Sequence, residues 1–198
     1  RHEKLQGAGE SRAGTGEAAA RTTPTYRGIL GKTLGKFADT NRKIVAITGA
    51  MPSGTGLGFF QQMHPDRYYD VGIAEEHAAL FACGLATQGL KPFLTIYSTF
   101  MQRAYDMIVH DICLQNLNVA LCMDRAGLSG DDGPTHHGLF DIGYRRPVPN
   151  IIHMQPKDEA EFVDRLWPMA TPTSGPTAIS YPRRPGTQVQ PGARARAP

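Results

Sequence analysis

Long apolar runs and a secretory signal are both missing from this chain of 198 residues. Its longest apolar stretches, such as Val119–Met123, fall far short of the roughly 20 residues that a membrane-spanning helix needs. The N-terminal residues lack the apolar core of a secretory signal. We therefore expect no membrane partner.

Cysteine is also scarce. Cys83, Cys113 and Cys122 are an odd number, each lies in an apolar segment, and none shows C-x-x-C spacing. This pattern indicates buried thiols in a reducing compartment rather than a disulfide framework. We expect the cytoplasm, or the plastid stroma if the source is eukaryotic.

An excess of one charge is absent outside the C-terminus. The chain has 21 basic and 18 acidic residues, but four arginines lie in residues 183–198, which contain no acid. The rest holds 17 basic residues (21 minus 4) against 18 acidic ones. With this nearly balanced charge, residues 1–182 provide no broad positive field for a nucleic-acid backbone. We therefore expect no nucleic-acid partner, and we expect anions to bind only locally, through a few arginines.

Three regions differ in composition. Residues 1–23 have almost no large apolar side chain and are predicted to be a disordered linker, whereas 24–183 form the domain and 184–198 a low-complexity basic tail. Because the chain begins with Arg1 rather than Met, we expect it to be a fragment or one half of a split protein.

Short β-branched or apolar runs alternate with helical patterns along the domain. Helices are predicted from Tyr26 and over Glu75–Leu90, Phe100–Leu114 and Asp158–Met169. Strands are predicted at Lys43–Thr48, Tyr68–Val71, Phe93–Tyr97, Asn118–Met123, Asn150–Met154 and Thr177–Tyr181. This alternation predicts an α/β fold with a mostly parallel sheet and helices on both faces. Ligands bind such sheets at the carboxyl ends of the strands.

Four segments rich in ionisable and aromatic residues fall at those carboxyl ends, and their convergence on one rim indicates a site. They are Val71–His77, Tyr97–Tyr105, Asp124–Phe140 and Tyr181–Arg184.

Two carboxylates, Glu75 and Glu76, open a helix directly after a strand. One interpretation is an acidic first turn that the helix dipole favours. The other is a functional carboxyl that holds or shares a proton against the apolar residues that follow it.

The loop Asp124–Phe140 contains three aspartates, with Asp132 among them, two adjacent histidines, His136 and His137, and glycines that bend the backbone. Metal binding is the rival interpretation, but adjacent histidines usually point apart and no i, i+4 histidine pair is present. We therefore predict no metal ligands in this chain. Proton transfer and hydrogen bonding to a hydroxylated substrate fit this loop better.

Three arginines, Arg103, Arg125 and Arg183, each follow a predicted strand end. A lone arginine is usually a solvated surface residue, but three at one rim beside Tyr97 would form a pocket for a small anion. Tyr97 and Phe100 are alternatively core aromatics, an interpretation that is weaker for Tyr97 because its hydroxyl needs a partner.

Five motifs in order and register resemble the family of 1-deoxy-D-xylulose-5-phosphate synthases from about Thr25 to Arg183. They are AMPSGTGL (50–57), DVGIAEEH (70–77), IYSTFMQRAYD (96–106), DRAGLSGDDGPTHHGLF (124–140) and YPR (181–183). The region looks like the pyrimidine-binding domain of this transketolase-like, thiamine-diphosphate-dependent family. The resemblance implies decarboxylation of pyruvate and transfer of the remaining two-carbon unit to glyceraldehyde 3-phosphate, a step in isoprenoid, thiamine and pyridoxol biosynthesis.

The resemblance also implies roles for individual residues. Glu75 would hydrogen-bond the cofactor's aminopyrimidine ring, and Phe100 would stack on that ring. The acceptor phosphate or the donor carboxylate would be bound by Tyr97, Arg125 and Arg183. The substrate channel would be lined by residues that assist binding and proton movement, namely Arg103, Asp132 and His136.

Departures from the family pattern limit what this chain does alone. Glu76 stands where the family usually has Gln, and two adjacent carboxylates in one site would perturb each other's titration. Arg184 stands where the family continues with Gly. No Gly-Asp-Gly segment, which carries Mg²⁺ and the diphosphate on another domain of the family, is present. We expect a diphosphate-binding domain or chain as partner, a homodimer, and little activity of this chain alone.

Three other functions stay open. The chain is alternatively the pyrimidine-binding domain of another transketolase-like enzyme, an inactive module that retains the fold, or a phosphate-binding protein without chemistry. The last would need the arginines but not Glu75 or His136.

Overall fold

A computed structural model describes residues 24–171 and 175–186. The predicted linker 1–23 and residues 187–198 of the predicted tail lie outside the described residues. Among the described residues, no helix is long and apolar enough to cross a membrane.

The described residues form one six-stranded parallel sheet in the order β2-β1-β3-β4-β6-β5. The strands are β1 (Ile44–Thr48), β2 (Tyr68–Asp70), β3 (Lys91–Tyr97), β4 (Ala120–Asp124), β5 (Ile152–Met154) and β6 (Thr177–Ser180). The predicted α/β class with a parallel sheet is confirmed. The edge strands β2 and β5 have three residues each, whereas the interior strands are longer and buried.

Helices cover both faces of the sheet. They are α1 (Tyr26–Thr40), α2 (Leu57–Met63), α3 (Glu75–Thr87), α4 (Ser98–Met101), α5 (Tyr105–Met107), α6 (Asp141–Arg145) and α7 (Glu159–Ala170). Short 3₁₀ turns occupy Pro65–Arg67, Gln102–Ala104, Gly130–Asp132 and Pro134–His136.

Alternation along the strands divides the core into two layers. Ile44 and Ala46 of β1 point toward α1, α2 and α7, where Leu30, Phe60 and Phe162 are fully buried. Ile47 points to the opposite face, where it packs with α3 and the helical segment 98–113.

Helix α1 begins at a side-chain cap. The Thr25 hydroxyl accepts a hydrogen bond from the backbone N–H of Gly28 at 3.3 Å, which satisfies one of the free donors of the first turn. Buried residues then recur on one face, at Tyr26, Leu30 and Leu34. The capping residue and the apolar periodicity together fix where this helix starts and which face it buries.

The predicted continuous helix Phe100–Leu114 is wrong in detail. The segment begins at Ser98 and consists of α4, a 3₁₀ turn, α5 and a π-helical stretch, Ile108–Cys113. A π turn holds about one residue more than an α turn, and the residues that this stretch buries are Ile108, Ile112 and Cys113.

Helix α2 was not predicted, because glycines before and within it obscure its short apolar pattern. Gly56, the residue before its first turn, has φ +77°, and a Cβ at Gly56 would lie 2.0 Å from the carbonyl oxygen of Arg27. Only glycine therefore allows α2 to pack this closely on α1.

Three residues of the predicted tail are part of the folded body. Pro185 forms an isolated antiparallel bridge with Thr25, and the N–H of Gly186 donates to the carbonyl of Pro24 at 2.9 Å. The chain thus closes beside the start of α1, and Arg184 lies against that start.

Candidate functional site

The carboxyl ends of the strands bring together the residues predicted from the sequence. We call these residues the open rim, and its members are Glu75, Tyr97, Phe100, Arg103, Arg125, Asp132, His136 and Arg183. They come from the start of α3, the end of β3 and the segment after it, the loop after β4 and the segment after β6. Parallel strands place all these loops on one edge of the sheet.

Glu75 is the first residue of α3 and is 2% exposed. The Arg103 guanidinium donates to its carboxylate, with 3.0 Å between Nη1 and Oε1. Arg103 is half-exposed and also lies 4.9 Å from the Phe100 ring centroid. Arg103 therefore contacts both of the residues on which the cofactor interpretation depends, instead of joining Arg125 and Arg183 in one anion pocket.

Glu76 is exposed, whereas Glu75 is buried. Consecutive helical residues point about 100° apart, so in this chain the two carboxylates do not share one site. The expectation that both carboxylates lie in one site is therefore wrong for the described chain.

Asp132 bridges two arginines. Its Oδ2 accepts from Nε of Arg125 at 2.8 Å, and its Oδ1 forms an ion pair with Nη1 of Arg183 at 2.9 Å. Arg125 is 5% exposed, has φ +64° and also donates to the carbonyl of Gly54 at 3.2 Å. This arrangement fixes the direction of both guanidinium groups before any ligand binds.

Tyr97 lies under Arg125, with 3.6 Å between the guanidinium carbon and the ring centroid. Its hydroxyl sits against Gly54, where a Cβ would come within 1.7 Å of that oxygen. Burial raises the pKa of Tyr97 above its ordinary value, so the hydroxyl stays protonated and can donate.

His136 closes the aromatic side of the open rim. Its ring centroid lies 5.3 Å from that of Phe100 and 6.2 Å from that of Tyr97. His137 instead points back into its own loop, where its Nδ1 accepts from the N–H of Ser129 at 3.0 Å. The adjacent histidines thus point apart, and only His136 faces the predicted site.

Asp124, at the end of β4, is buried and has an Oδ2 without a hydrogen-bond partner among the described residues. Its nearest charge is Nη1 of Arg125, 3.5 Å from that oxygen. Burial raises the pKa of Asp124 to about 7, although the arginine opposes this shift.

A second polar cluster, which the sequence analysis missed, lies next to the open rim. We call it the closed network: Ser98, Asp141, Arg145, His153 and Ser180. The Ser98 hydroxyl donates to Asp141, Ser180 donates to the other Asp141 oxygen at 3.0 Å, and Arg145 lies 3.3 Å from that oxygen. The side chain of Arg145 is fully buried.

The closed network holds neighbouring segments of the open rim. Ser98 directly follows Tyr97, and a Cβ at Gly138, two residues after His136, would lie 2.1 Å from the Ser98 hydroxyl. Burial lowers the pKa of His153 to about 4, so at neutral pH its uncharged ring bonds the Ser180 hydroxyl at 3.0 Å. Five widely spaced, common residues carry no motif, so no local signal revealed this network.

Among the residues that the structure describes, no group of three or more His, Cys, Asp or Glu side chains could hold a metal ion.

A profile described as "Transketolase, pyrimidine binding domain" matches residues 22–187. The chain belongs to the transketolase pyrimidine-binding domain family. The chain is also 59% identical over 183 residues to 1-deoxy-D-xylulose-5-phosphate synthase of Acidobacterium capsulatum, covering 92% of this chain and 29% of that protein. The synthase of Methylacidiphilum infernorum is 56% identical over 189 residues, covering 96% and 30%. The chain thus spans about 30% of the length of these curated relatives.

Solved structures show the same fold. Transketolase from Leishmania mexicana matches this pyrimidine-binding domain with a TM-score of 0.74 and 18% identity, over 88% of this chain and 27% of that one. A chain described as a split gene transketolase, an inactive β4 tetramer, matches with a TM-score of 0.70 and 29% identity, over 80% and 51%.

Proposed function

We propose that this pyrimidine-binding domain supplies half of the active site of a 1-deoxy-D-xylulose-5-phosphate synthase. The reaction would transfer a two-carbon unit from pyruvate, with decarboxylation, to glyceraldehyde 3-phosphate. One observation carries the proposal: a buried carboxylate, Glu75, and an aromatic ring, Phe100, both contact the Arg103 guanidinium at the rim where fixed arginines lie. The high identity to these synthases supports this chemistry over that of other transketolase-like enzymes.

The residues fit the pyrimidine part of thiamine diphosphate. In this chain the planar Arg103 guanidinium bonds Glu75 and lies against Phe100. A planar ring with hydrogen-bonding nitrogens would make the same two contacts, once the half-exposed Arg103 side chain moves aside. When bound, the cofactor stabilises the negative charge that forms when pyruvate loses carbon dioxide.

The chain's own residues would then bind and orient the substrates. Arg125 and Arg183, which Asp132 holds in place, would bind the acceptor phosphate or the donor carboxylate. The protonated Tyr97 hydroxyl would donate to the same anion. His136, against the two aromatic rings, would line the channel and move a proton to or from the substrate.

The rest of the site would come from elsewhere. We propose that Mg²⁺ and the diphosphate are held by a diphosphate-binding domain or chain, that the assembly is a homodimer of complete sites, and that it works in the cytoplasm or plastid stroma. Participation in thiamine as well as isoprenoid biosynthesis belongs to the same proposal. The related split-gene chain, described as inactive in its β4 form, supports the expectation that this domain alone is inactive.

Reconstitution tests the proposal. The chain is mixed with a separately expressed diphosphate-binding domain, Mg²⁺, thiamine diphosphate and both substrates, and release of carbon dioxide is measured. Glu75→Ala should lower the rate about 100-fold or more, whereas Glu76→Ala, the exposed neighbour, should change it little. Equal rates in the Glu75→Ala and unaltered chains would contradict the role of Glu75.

A folded chain that releases no carbon dioxide in this mixture would favour the competing function, an inactive module that keeps the fold.

A further inference from the structure

Residues 127–138 of the loop after β4 form a closed excursion from the sheet edge, which we call the rim loop. Its two ends, Gly127 and Gly138, bond each other twice, with 2.9 Å from each N–H nitrogen to the other residue's carbonyl oxygen. A Cβ at Gly138 would collide with the Ser98 hydroxyl and with the carbonyl oxygen of Arg125. The base of the rim loop therefore packs directly on Ser98.

Ser98 is also the first residue of α4, which carries Phe100. Because α4 has only four residues and passes into a 3₁₀ turn, its own backbone hydrogen bonds are too few to fix its direction. The rim loop carries His136, whose ring meets the Phe100 ring edge-on with 5.3 Å between centroids. Two segments that are distant in sequence thus meet at one serine, and the alignment of Phe100 with His136 depends on that contact.

Asp141 holds Ser98 from a different element, α6. One oxygen of its carboxylate accepts a hydrogen bond from the Ser98 hydroxyl, and the other accepts one from the Ser180 hydroxyl of β6 at 3.0 Å. Arg145, one turn later in α6, lies 3.3 Å from the second oxygen and donates to the Asp141 carbonyl at 3.1 Å. The carboxylate is thus held on three sides, and its remaining contact fixes Ser98.

Stability alone does not explain why these groups are polar. Ser98, Asp141, Arg145 and Ser180 are all buried. Burying charges costs desolvation, and replacing a buried ion pair with apolar side chains of similar volume is often neutral or stabilising. Hydrogen bonds, unlike apolar contacts, have a preferred direction. What the network adds is therefore a defined position for Ser98.

From these contacts we propose that Asp141 is a positioning residue for the two-carbon transfer: through Ser98 it sets where Phe100 meets the cofactor ring and where His136 faces the substrate. This inference rests on the proposed function and deepens it, because the buried Asp141 carboxylate acts through Ser98 and not on a ligand. Misplacing reacting groups by about 1 Å can lower an enzymatic rate about 100-fold, so an anchor outside the site affects the reaction.

Two serine variants separate positioning from stability, whereas Asp141→Ala would disrupt the whole network. Ser98→Ala removes the hydrogen bond that reaches α4, and Ser180→Ala removes one from the same carboxylate on the side of β6. Ser180 also bonds Arg145 and His153, so its loss should weaken the fold at least as much. Backbone pairing with β4 keeps β6 in place, so Ser180→Ala should leave the open rim unmoved.

Nuclear magnetic resonance of the full chain tests the alignment without cofactor or partner. The unaltered chain and Ser180→Ala should show the same through-space signal between the rings of Phe100 and His136. Ser98→Ala should weaken that signal at least twofold, because α4 and the rim loop lose their common anchor. An unchanged signal in Ser98→Ala would overturn the proposal.

The reconstituted mixture tests the consequence for the reaction. Ser98→Ala should lower the rate about tenfold and raise about fivefold the thiamine diphosphate concentration that gives half the maximal rate, the loss expected for one aromatic contact. Ser180→Ala should change both quantities less than twofold. A smaller folded fraction would lower the rate but leave that concentration unchanged.

Equal effects of the two variants on the half-maximal concentration would show that the network acts through stability, and would overturn the proposal. Failure of the proposed function gives a different result: the unaltered chain itself releases no carbon dioxide. The ring-to-ring signal still decides in that case whether Ser98 aligns Phe100 with His136, because it requires neither substrates nor a second domain.

Discussion

The open rim and the closed network stand side by side at the same edge of the sheet, but their charges are satisfied in opposite ways. In the closed network the carboxylate, the guanidinium and the hydroxyls bond one another, and Asp141 and Arg145 are buried. In the open rim, Glu75 has a half-exposed partner, and Arg183 and His136 are partly exposed.

This difference shows how one sheet edge serves two purposes. Polar groups that are fully paired within the chain stabilise the fold. Groups whose partners are half-exposed or shared remain available to ligands. The closed network holds Ser98 in place, and Ser98 directly follows Tyr97 as the first residue of α4, which carries Phe100. The closed network thus positions residues of the open rim.

The largest effect on stability is expected in the closed network. Asp141→Ala should lower the free energy of unfolding by about 3–5 kcal/mol, because it leaves the buried Arg145 guanidinium without its carboxylate. Urea denaturation measures this loss. Asp106→Ala, which removes an exposed carboxylate paired with His110, should cost about 0.5 kcal/mol or less. Equal losses in the two variants would remove the distinction between closed and open clusters.

Arg125→Met should have the next largest effect, about 2–3 kcal/mol by the same measurement. Arg125 is the one open-rim arginine that is buried, and its loss leaves both Asp124 and Asp132 with fewer partners. Arg183→Met, at the more exposed end of the bridge, should cost about 1 kcal/mol. If Arg183→Met were the more harmful change, burial would not be what separates the two ends.

The pH dependence of stability reveals the closed network through His153. Its pKa is lowered to about 4 in the folded chain against an ordinary value of 6.5. Between these values the unfolded chain binds more protons, so the free energy of unfolding falls as the pH drops from 6.5 toward 4. Because His153 is partly exposed, we expect only part of the full effect. Over this pH range the unaltered chain should lose about 2 kcal/mol more of its free energy of unfolding than His153→Gln does.

Asp124 contributes a pH dependence of stability with the opposite sign, because the pKa of Asp124 is raised from 3.8 to about 7. Its contribution to stability is present below 3.8 and is lost as the pH rises through 7. Denaturation of Asp124→Asn across this range separates the two contributions. A pH profile that is identical in the unaltered chain, His153→Gln and Asp124→Asn would show that neither group titrates as described.

The smallest stability effect is expected for Arg103→Met. The pair with Glu75 is half-exposed, and the N-terminus of α3 also stabilises that carboxylate, so the loss should be about 1 kcal/mol or less. Thermal unfolding is sufficient to measure it. A loss as large as that of Asp141→Ala would mean that Arg103 is a structural partner of Glu75 and not a group that gives way to a ligand.

Hydrophobic periodicity in the sequence was sufficient to predict the parallel sheet and the convergence of four loops on one rim. This works because buried strands and capped helices leave local signals in the sequence. The strands differ from prediction by at most two residues at either end. Pairings across the fold left no such signal. The contact between Glu75 and Arg103 depends on how the 3₁₀ turn Gln102–Ala104 aims one side chain, which spacing alone does not determine.

The predicted anion pocket illustrates the same limit. Three arginines were correctly placed at one rim, but only Arg125 and Arg183 share a carboxylate, while Arg103 turns toward Glu75. The assignment of roles to the open-rim residues remains a prediction.

The two edge strands of the sheet affect how this chain can associate with other chains. An open strand edge is a template on which another chain can add a strand, and long, flat edges lead to aggregation. Here β2 and β5 each offer three residues, and Asp70 at the end of β2 is exposed. A strand added at either edge would thus form only a short ladder of backbone hydrogen bonds. Self-association should therefore proceed through side-chain surfaces, which can be specific for the correct partner.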